Sequence, residues 1–375
     1  MNFYGRLNEG LEALRAQECL RTLPKVPSGL VNLSSNDYLG LLEEVELRES
    51  FYAQLQGDDR FLSAASSRLL TGNTAAVCAL ERDLAHLYDA ETSLVLGSGY
   101  HANTGIIPAL AGSKTLILAD KLIHASMIDG IRLSGCRYFR YRHNDLTHAR
   151  QLLERYSAEF DEVIVMTESV FSMDGDRTDL AELVALKTSF PNVVLYLDEA
   201  HGVGVFGETG LGCAHALKLH HQIDLLVGTL GKALSSTGAY VICNATVRET
   251  LVNRMRPFIF TTALPPINLA WTRFVLSALP AMGERRTRLL AMGQRLAAAF
   301  RTKGIECVSD SQIVPYLIGS NEQTIACAEK FRHAGFYVLP IRPPTVPEGS
   351  SRLRFSLTAA ISNRDFERLL EIVAS

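Results

Sequence analysis

Two short stretches of this chain carry residue types that suit covalent chemistry on a carbonyl compound. The first, LLVGTLGKALSSTG, places Lys232 among Thr229, Gly231, Ala233 and Ser235. Small neighbours let a ligand come close, and an amine in a partly desolvated pocket has a lowered pKa. Such an amine forms a Schiff base with a carbonyl. The second stretch, VVLYLDEAHGVG, is an apolar run that ends in Asp198, with Glu199, His201, Gly202 and Gly204 behind it. Asp198 and Lys232 lie 34 residues apart, about the length of one strand–helix–strand unit, so both fall at the same edge of a sheet. An aldehyde cofactor held through a lysine needs an acid at its pyridinium nitrogen. Thr229, three residues before the lysine, is placed to offer a hydroxyl to a phosphate.

The plain alternatives are that Asp198 caps a helix and that Lys232 is a solvated surface charge. A rival functional reading takes Asp-Glu-Ala-His as the magnesium motif of an NTPase. That reading requires a phosphate loop G-x-x-x-x-G-K-[ST]. Here Leu226 stands in place of the first glycine and Ala233 in place of Ser/Thr, so it fails at two required positions. A phosphate cradle is offered instead by Leu96-Gly97-Ser98-Gly99-Tyr100-His101-Ala102-Asn103, where a strand passes into a helix whose free amides favour an anion. His124 and Ser172 each follow an apolar run; alone they read as a core or capping histidine and a turn serine.

Elements that would position these groups are visible in the patterning. Apolar runs at 93–97, 115–119, 163–167, 193–197, 225–228 and 239–243 read as strands, several without alternation, as expected of strands covered on both faces. Between them, 145–160 carries one apolar stripe behind Asp145, a candidate N-cap. Alternation of this kind predicts an α/β fold with a mainly parallel sheet. After about residue 266 come a long helical region (268–303), strands at 313–318, 337–341 and 352–357, and helices at 322–333 and 364–373. The expected organisation is an N-terminal helix and arm (1–40), a large domain (41–267) and a smaller C-terminal α/β domain (268–375). Phe3, Leu7, Leu11 and Leu14 recur at helical spacing, and that first helix is expected near the C-terminal domain.

Composition sets outer bounds. The chain has 375 residues, 47% hydrophobic and 21% charged, with a formal net charge of −3. No pull toward nucleic acid or anionic membrane is expected. No apolar run approaches a membrane span, and the first residues lack a signal-peptide core. Seven cysteines are scattered without a C-x-x-C pair, so no metal site is expected and a reducing cytoplasm is the expected location.

The ordered motifs Ser34-Ser35-Asn36-Asp37-Tyr38-Leu39-Gly40, Ser98-Gly99-Tyr100, His124-Ala125-Ser126, 170–176, Asp198-Glu199-Ala200-His201-Gly202 and Thr229-Leu230-Gly231-Lys232 resemble the α-oxoamine synthases, a branch of the fold-type I pyridoxal-phosphate enzymes. The resemblance covers nearly the whole chain. It implies pyridoxal 5′-phosphate as cofactor and a homodimer. It implies that Lys232 holds the cofactor aldehyde and moves the substrate α-proton, that Asp198 pairs with the pyridine nitrogen, and that His201 bonds the phenolic oxygen. His124 would stack on the ring and meet substrate, and Ser172 would support the ring. Gly99, Tyr100 and Thr229 would contact the phosphate, with Thr261 and Thr262 reaching the phosphate of the partner subunit's cofactor. Arg21, Thr345 and Arg354 match substrate-handling positions, Arg354 through the amino-acid carboxylate.

Ile341-Arg342-Pro343-Pro344-Thr345-Val346-Pro347 resembles the members that condense L-alanine with a pimeloyl thioester, carried by coenzyme A or an acyl carrier protein, in biotin biosynthesis. The alternatives are another member, such as glycine C-acetyltransferase, or a binding protein that keeps the fold without catalysis. Two departures stand out. Ala64, Ala65 and Ser66 occupy a stretch (61–73) where relatives are richer in glycine, and 23–31 is short.

Overall fold

The computed structural model describes residues 2–25 and 27–374; Met1, Val26 (inside the short 23–31 stretch) and Ser375 lie outside the described residues. Two compact units emerge, one comprising Asp37–Ser172 and Arg177–Thr287, the other Met1–Asn36, Met173–Asp176 and Arg288–Ser375.

The larger unit is built on seven strands: β1 (Thr92–Leu96), β2 (Thr115–Asp120), β3 (Arg137–Tyr141), β4 (Glu162–Glu168), β5 (Val193–Asp198), β6 (Leu225–Thr229) and β7 (Ala239–Cys243). Their order in the sheet is β1-β7-β6-β5-β4-β2-β3. β7 runs antiparallel to β1 and β6, and every other pairing is parallel. All residues of β2 and β7 are buried, which explains their unbroken apolar runs. Four helices follow strands in turn: α1 (Gly99–Leu110), α2 (Ala125–Ser134), α3 (Leu146–Tyr156) and α4 (Leu180–Ser189). Asp145 does cap α3, its side chain accepting from the amide of His148. The core beneath the site gathers Ile106, Ile117, Met127, Met166, Tyr196 and Val227. The chain is thus α/β with a mainly parallel sheet.

Two elements here depart from the sequence reading. β3 was not among the expected strands because it is an exposed edge rich in arginine; Arg137 lies over Phe139 and Tyr156 at 5.0 and 5.1 Å. The expected long helix breaks into Pro266–Ala278, a 3₁₀ turn Leu279–Met282 and Gly283–Thr302, because Pro280 lacks the amide a continuous helix requires. Within 61–73, Ala65 holds φ of +50°, a left-handed conformation that glycine adopts without strain.

The smaller unit has an antiparallel sheet in the order Pro340–Ile341, Ser351–Ser356, Ile313–Gly319, with helices Asn321–His333 and Asn363–Ala374. Phe355 packs between Phe300 (5.6 Å) and Phe331 (5.1 Å). The expected strand at 337–341 is split. Phe336–Tyr337 pairs with Val31–Asn32, and Pro340–Ile341 turns to pair with Leu353 and Arg352. The N-terminal helix spans Phe3–Ala16 and its far end is tied down: Asn321 donates to the carbonyl of Gln17 at 3.0 Å. The helix falls in the same compact unit as residues 288–375, but its apolar stripe buries nothing; Phe3 is 61% exposed.

Candidate active site

Ligands in open α/β sheets gather at the carboxyl ends of the strands. In the larger unit those ends bring Glu168 (β4), Asp198 (β5) and Thr229 (β6) together with the starts of α1 and α2. A cavity of ≈ 180 Å³ lies there, lined by Gly99, Tyr100, His124, Asp198, His201, Thr229 and Lys232, with Asn103, Ser126, Glu168 and Ala200. Seven of the sequence-predicted site residues therefore share one space.

Lys232 stands three residues past β6 on a loop that is closed on itself. Leu230 donates its amide to the carbonyl of Gly238 at 3.0 Å, and Ser236 donates to that of Leu230 at 2.9 Å. The loop is braced from outside by Trp271, whose Nε1 donates to the carbonyl of Ser235 at 3.0 Å, and by Asp37, which accepts from the Ser235 hydroxyl at 2.7 Å. A side chain on so fixed a loop keeps its position. Lys232 Nζ lies 2.7 Å from His201 Nε2, and His201 Nδ1 lies 2.6 Å from the hydroxyl of buried Tyr38.

Of the acidic pair 198–199, only Asp198 faces the cavity. Glu199 is fully buried and accepts from the Ser169 hydroxyl and from the amides of Cys213 (3.1 Å) and Ala214 (2.7 Å). Burial raises its pKa, while those donors oppose the rise. It braces the 200–214 turns. Asp198 accepts from the Ala200 amide through Oδ1 and from Asn103 Nδ2 through Oδ2, each at 2.8 Å. These bonds hold the carboxylate plane and leave lone pairs toward the cavity.

Ser98 caps α1 by accepting from the amide of His101 at 3.1 Å, which leaves the first-turn amides of Gly99 and Tyr100 free of helical partners. A Cβ on Gly99 would sit 3.8 Å from Thr229 Oγ1, so the helix start and that hydroxyl border one small space suited to an anion. The Tyr100 hydroxyl turns away to donate to Asp129 at 2.7 Å. His124 caps α2, and its pKa lies below the ordinary histidine value because desolvation outweighs the pull of Asp198. Pyridoxal phosphate fits this donor set. Lys232 has the amine for its aldehyde, Asp198 the carboxylate for its ring nitrogen, His201 a ring nitrogen for its oxygen, and α1 with Thr229 the cradle for its phosphate.

Other predicted residues lie elsewhere. Thr261 and Thr262 line a separate small pocket with Arg68, Gly97 and Phe258. Ser172 sits in the 171–176 turn beyond the Val170–Arg177 bridge and does not line the cavity. Arg21, Thr345 and Arg354 belong to the smaller unit. There Arg21 donates to the Thr345 hydroxyl at 2.6 Å, and Arg354 donates to Asn36 Oδ1 at 3.2 and 3.3 Å.

Sequence reasoning passed over Tyr38, Asn103, Ser126 and Glu168 as site residues. The signal for Asn103 was available, since it follows Gly99 by four residues and so shares its helix face. Glu168 accepts from the His124 amide, and its burial carries the carboxyl up to about 8, with repulsion from Asp198 adding to the rise.

Residues 28–373 match the family described as aminotransferase class I and II. A protein of Pasteurella multocida named "Putative 8-amino-7-oxononanoate synthase" is 50% identical over 371 residues, covering 96% of each chain. Among solved structures, a serine palmitoyltransferase from S. paucimobilis with bound PLP–myriocin aldimine superposes with a TM-score of 0.89 at 27% identity, covering 100% of this chain and 98% of that one. The structure of 8-amino-7-oxononanoate synthase from Francisella tularensis superposes with a TM-score of 0.78 at 28% identity, covering 93% and 98%. The chain belongs to the aminotransferase class I and II family of pyridoxal-phosphate enzymes, among the 8-amino-7-oxononanoate synthases and their α-oxoamine synthase relatives.

Proposed function

We propose that this chain condenses L-alanine with a pimeloyl thioester, releasing carbon dioxide and a free thiol and giving 8-amino-7-oxononanoate, in the cytoplasmic assembly of biotin. The observation that carries this reading is Lys232, His201 and Asp198 in one cavity, with His201 held from behind by Tyr38, joined to 50% identity over 96% of each chain with a relative of that name. When bound, pyridoxal phosphate supplies an electron sink for a carbanion at the amino-acid Cα.

The chain's own groups hold and feed that chemistry. Lys232 Nζ would hold the cofactor's aldehyde and, once free, would take the Cα proton. Asp198 would keep the ring nitrogen protonated. His201, fixed by Tyr38, hydrogen-bonds the ring oxygen. His124, which lines the cavity, would pack on the ring, and Ser172, outside the cavity lining, is assigned a supporting role on the resemblance alone. The amides of Gly99 and Tyr100 and the Thr229 hydroxyl hold the phosphate. We assign the alanine carboxylate to the guanidinium fork of Arg354, with Arg21 and Thr345 handling the acyl substrate. A new bond joins Cα to the acyl carbon as the C–S bond breaks and the thiol departs. Loss of the carboxyl group as carbon dioxide then leaves Cα to take one proton. We further propose a homodimer in which Thr261 and Thr262 serve the partner's cofactor.

The test is thiol release from pimeloyl-coenzyme A by the cofactor-loaded protein. Release that requires L-alanine and is not supported by glycine with acetyl-coenzyme A is expected. Release only with glycine and acetyl-coenzyme A would transfer the chain to another α-oxoamine synthase activity.

A further inference from the structure

A row of four buried or cavity-facing groups runs from Asp198 to His124, and each link fixes the polarity of the next. Asn103 Nδ2 donates to Asp198 Oδ2 at 2.8 Å and to Ser126 Oγ at 3.0 Å, while its Oδ1 accepts from the Tyr196 hydroxyl at 2.6 Å. A flipped amide would set Oδ1 against a carboxylate oxygen with no hydrogen between them, so the orientation is determined. Burial and Asp198 both raise the pKa of Tyr196, which keeps it a donor. Ser126 Oγ spends a lone pair on Asn103, and its hydrogen is left for His124 Nδ1 at 2.7 Å. The amide of Ser126 also points at Nδ1, at 3.2 Å, and an amide can only donate. Nδ1 therefore accepts twice and carries no proton.

We propose that Asn103 and Ser126 are positioning residues that hold His124 as its Nε2–H tautomer, a fixed hydrogen-bond donor whose polarity is set by the carboxylate of Asp198. Asn103, Ser126 and Asp198 are 2%, 1% and 5% exposed, so water does not compete for these bonds. Donation from Ser126 to Nδ1 also stabilises the neutral ring. It acts together with desolvation and Lys232, and against Asp198 and Asp129. The consequence is directional. His124 offers substrate or cofactor a donor, and it does not act as a base through Nε2.

The kinetic part rests on the reading of this cavity as the cofactor site; the nitrogen signal does not. Holoenzyme labelled with ¹⁵N-histidine, with His124 assigned by its loss in H124N, reports which ring nitrogen carries the proton. The expected result at neutral pH is protonation at Nε2. A proton on Nδ1 in the wild-type holoenzyme overturns the proposal. In S126A the ring loses its hydroxyl donor and keeps only the longer amide contact at 3.2 Å, so part of the proton population moves to Nδ1, the His124 pKa rises, and kcat/KM for the amino acid falls roughly fivefold. If S126A keeps the wild-type nitrogen signals and loses only thermal stability, Ser126 is structural and the proposal is wrong. Because no substrate is needed for the nitrogen measurement, an error in the proposed condensation would show in the thiol assay alone.

Discussion

At the scale of single residues, Lys232 and Glu168 make separable demands. Among the described residues, Lys232 is the only amine lining the cavity. In K232A the protein is expected to fold, shown by an unchanged circular dichroism spectrum, and to lose turnover by roughly 10²–10⁴-fold, the usual worth of a positioned proton-transfer group. Thiol release at the wild-type rate would remove Lys232 from the chemistry. Glu168 is a stability device as well as a lining group. Burial is the main cause of its rise from 4.5 to about 8; Asp198 and Asp120 add to it, while Lys232 and the His124 amide oppose it. Between those two values the folded protein holds a proton that the unfolded chain releases. The stabilisation is therefore full below pH 4.5 and is lost as pH rises through about 8. E168Q stays neutral throughout. In thermal melts of the cofactor-free protein, wild type should lose more Tm than E168Q between about pH 5 and about pH 9. Parallel losses in the two proteins would show that Glu168 does not titrate in this way.

At the scale of elements, α1 and α2 carry most of the site's precision. A Cβ on Gly130 of α2 would sit 2.1 Å from the main-chain oxygen of Asn103 on α1. G130A must push the helices apart, which moves Asn103, the cap at His124 and the phosphate cradle together. We expect a loss of about 1–3 kcal/mol in thermal or denaturant unfolding, as overpacked sites usually show, with faster cofactor release on dialysis. Unchanged stability and cofactor retention would mean that the helices yield there without cost. These helices also show what sequence could disclose. Asp145 ahead of a 3.6-period stripe, and apolar runs ending at Asp198 and Thr229, report local forces and were readable. Tyr38 meets His201 from 163 residues away, and Glu168 and Asp198 become neighbours only through the β4–β5 register. Such contacts are products of tertiary packing, which no window of sequence contains. β3 was hidden for the opposite reason. It is an edge whose arginines cover aromatic rings, so its pattern reads as surface.

At the scale of the whole molecule, the larger unit leaves apolar side chains uncovered on two adjoining segments. Leu62 and Leu70 are 77% and 78% exposed, and Phe260 is 72% exposed. Antiparallel bridging of Ser67 to Thr262, and the bond from the Ala263 amide to the carbonyl of Ser66, bind these segments together. Exposed apolar groups on adjoining segments suit an interaction site, and a second copy of the chain would cover them in the proposed homodimer. Thr261 and Thr262 lie on the same segments and do not line the Lys232 cavity of their own chain, as expected if they serve the partner's phosphate. Subunit mixing tests this directly. K232A lacks the amine but keeps both threonines; a T261A/T262A double variant keeps the amine but lacks the threonines. Each alone should be poorly active at limiting cofactor. Unfolded and refolded together in equal amounts, they should form heterodimers in half of the population, each with one site that combines an intact lysine with intact threonines. Roughly a quarter of wild-type sites should then recover. If each site were built from a single chain, every site in the mixture would keep one of the two defects. Activity would stay at the average of the two variants, and the cross-subunit assignment of Thr261 and Thr262 would fail while the assignment of Lys232 stood.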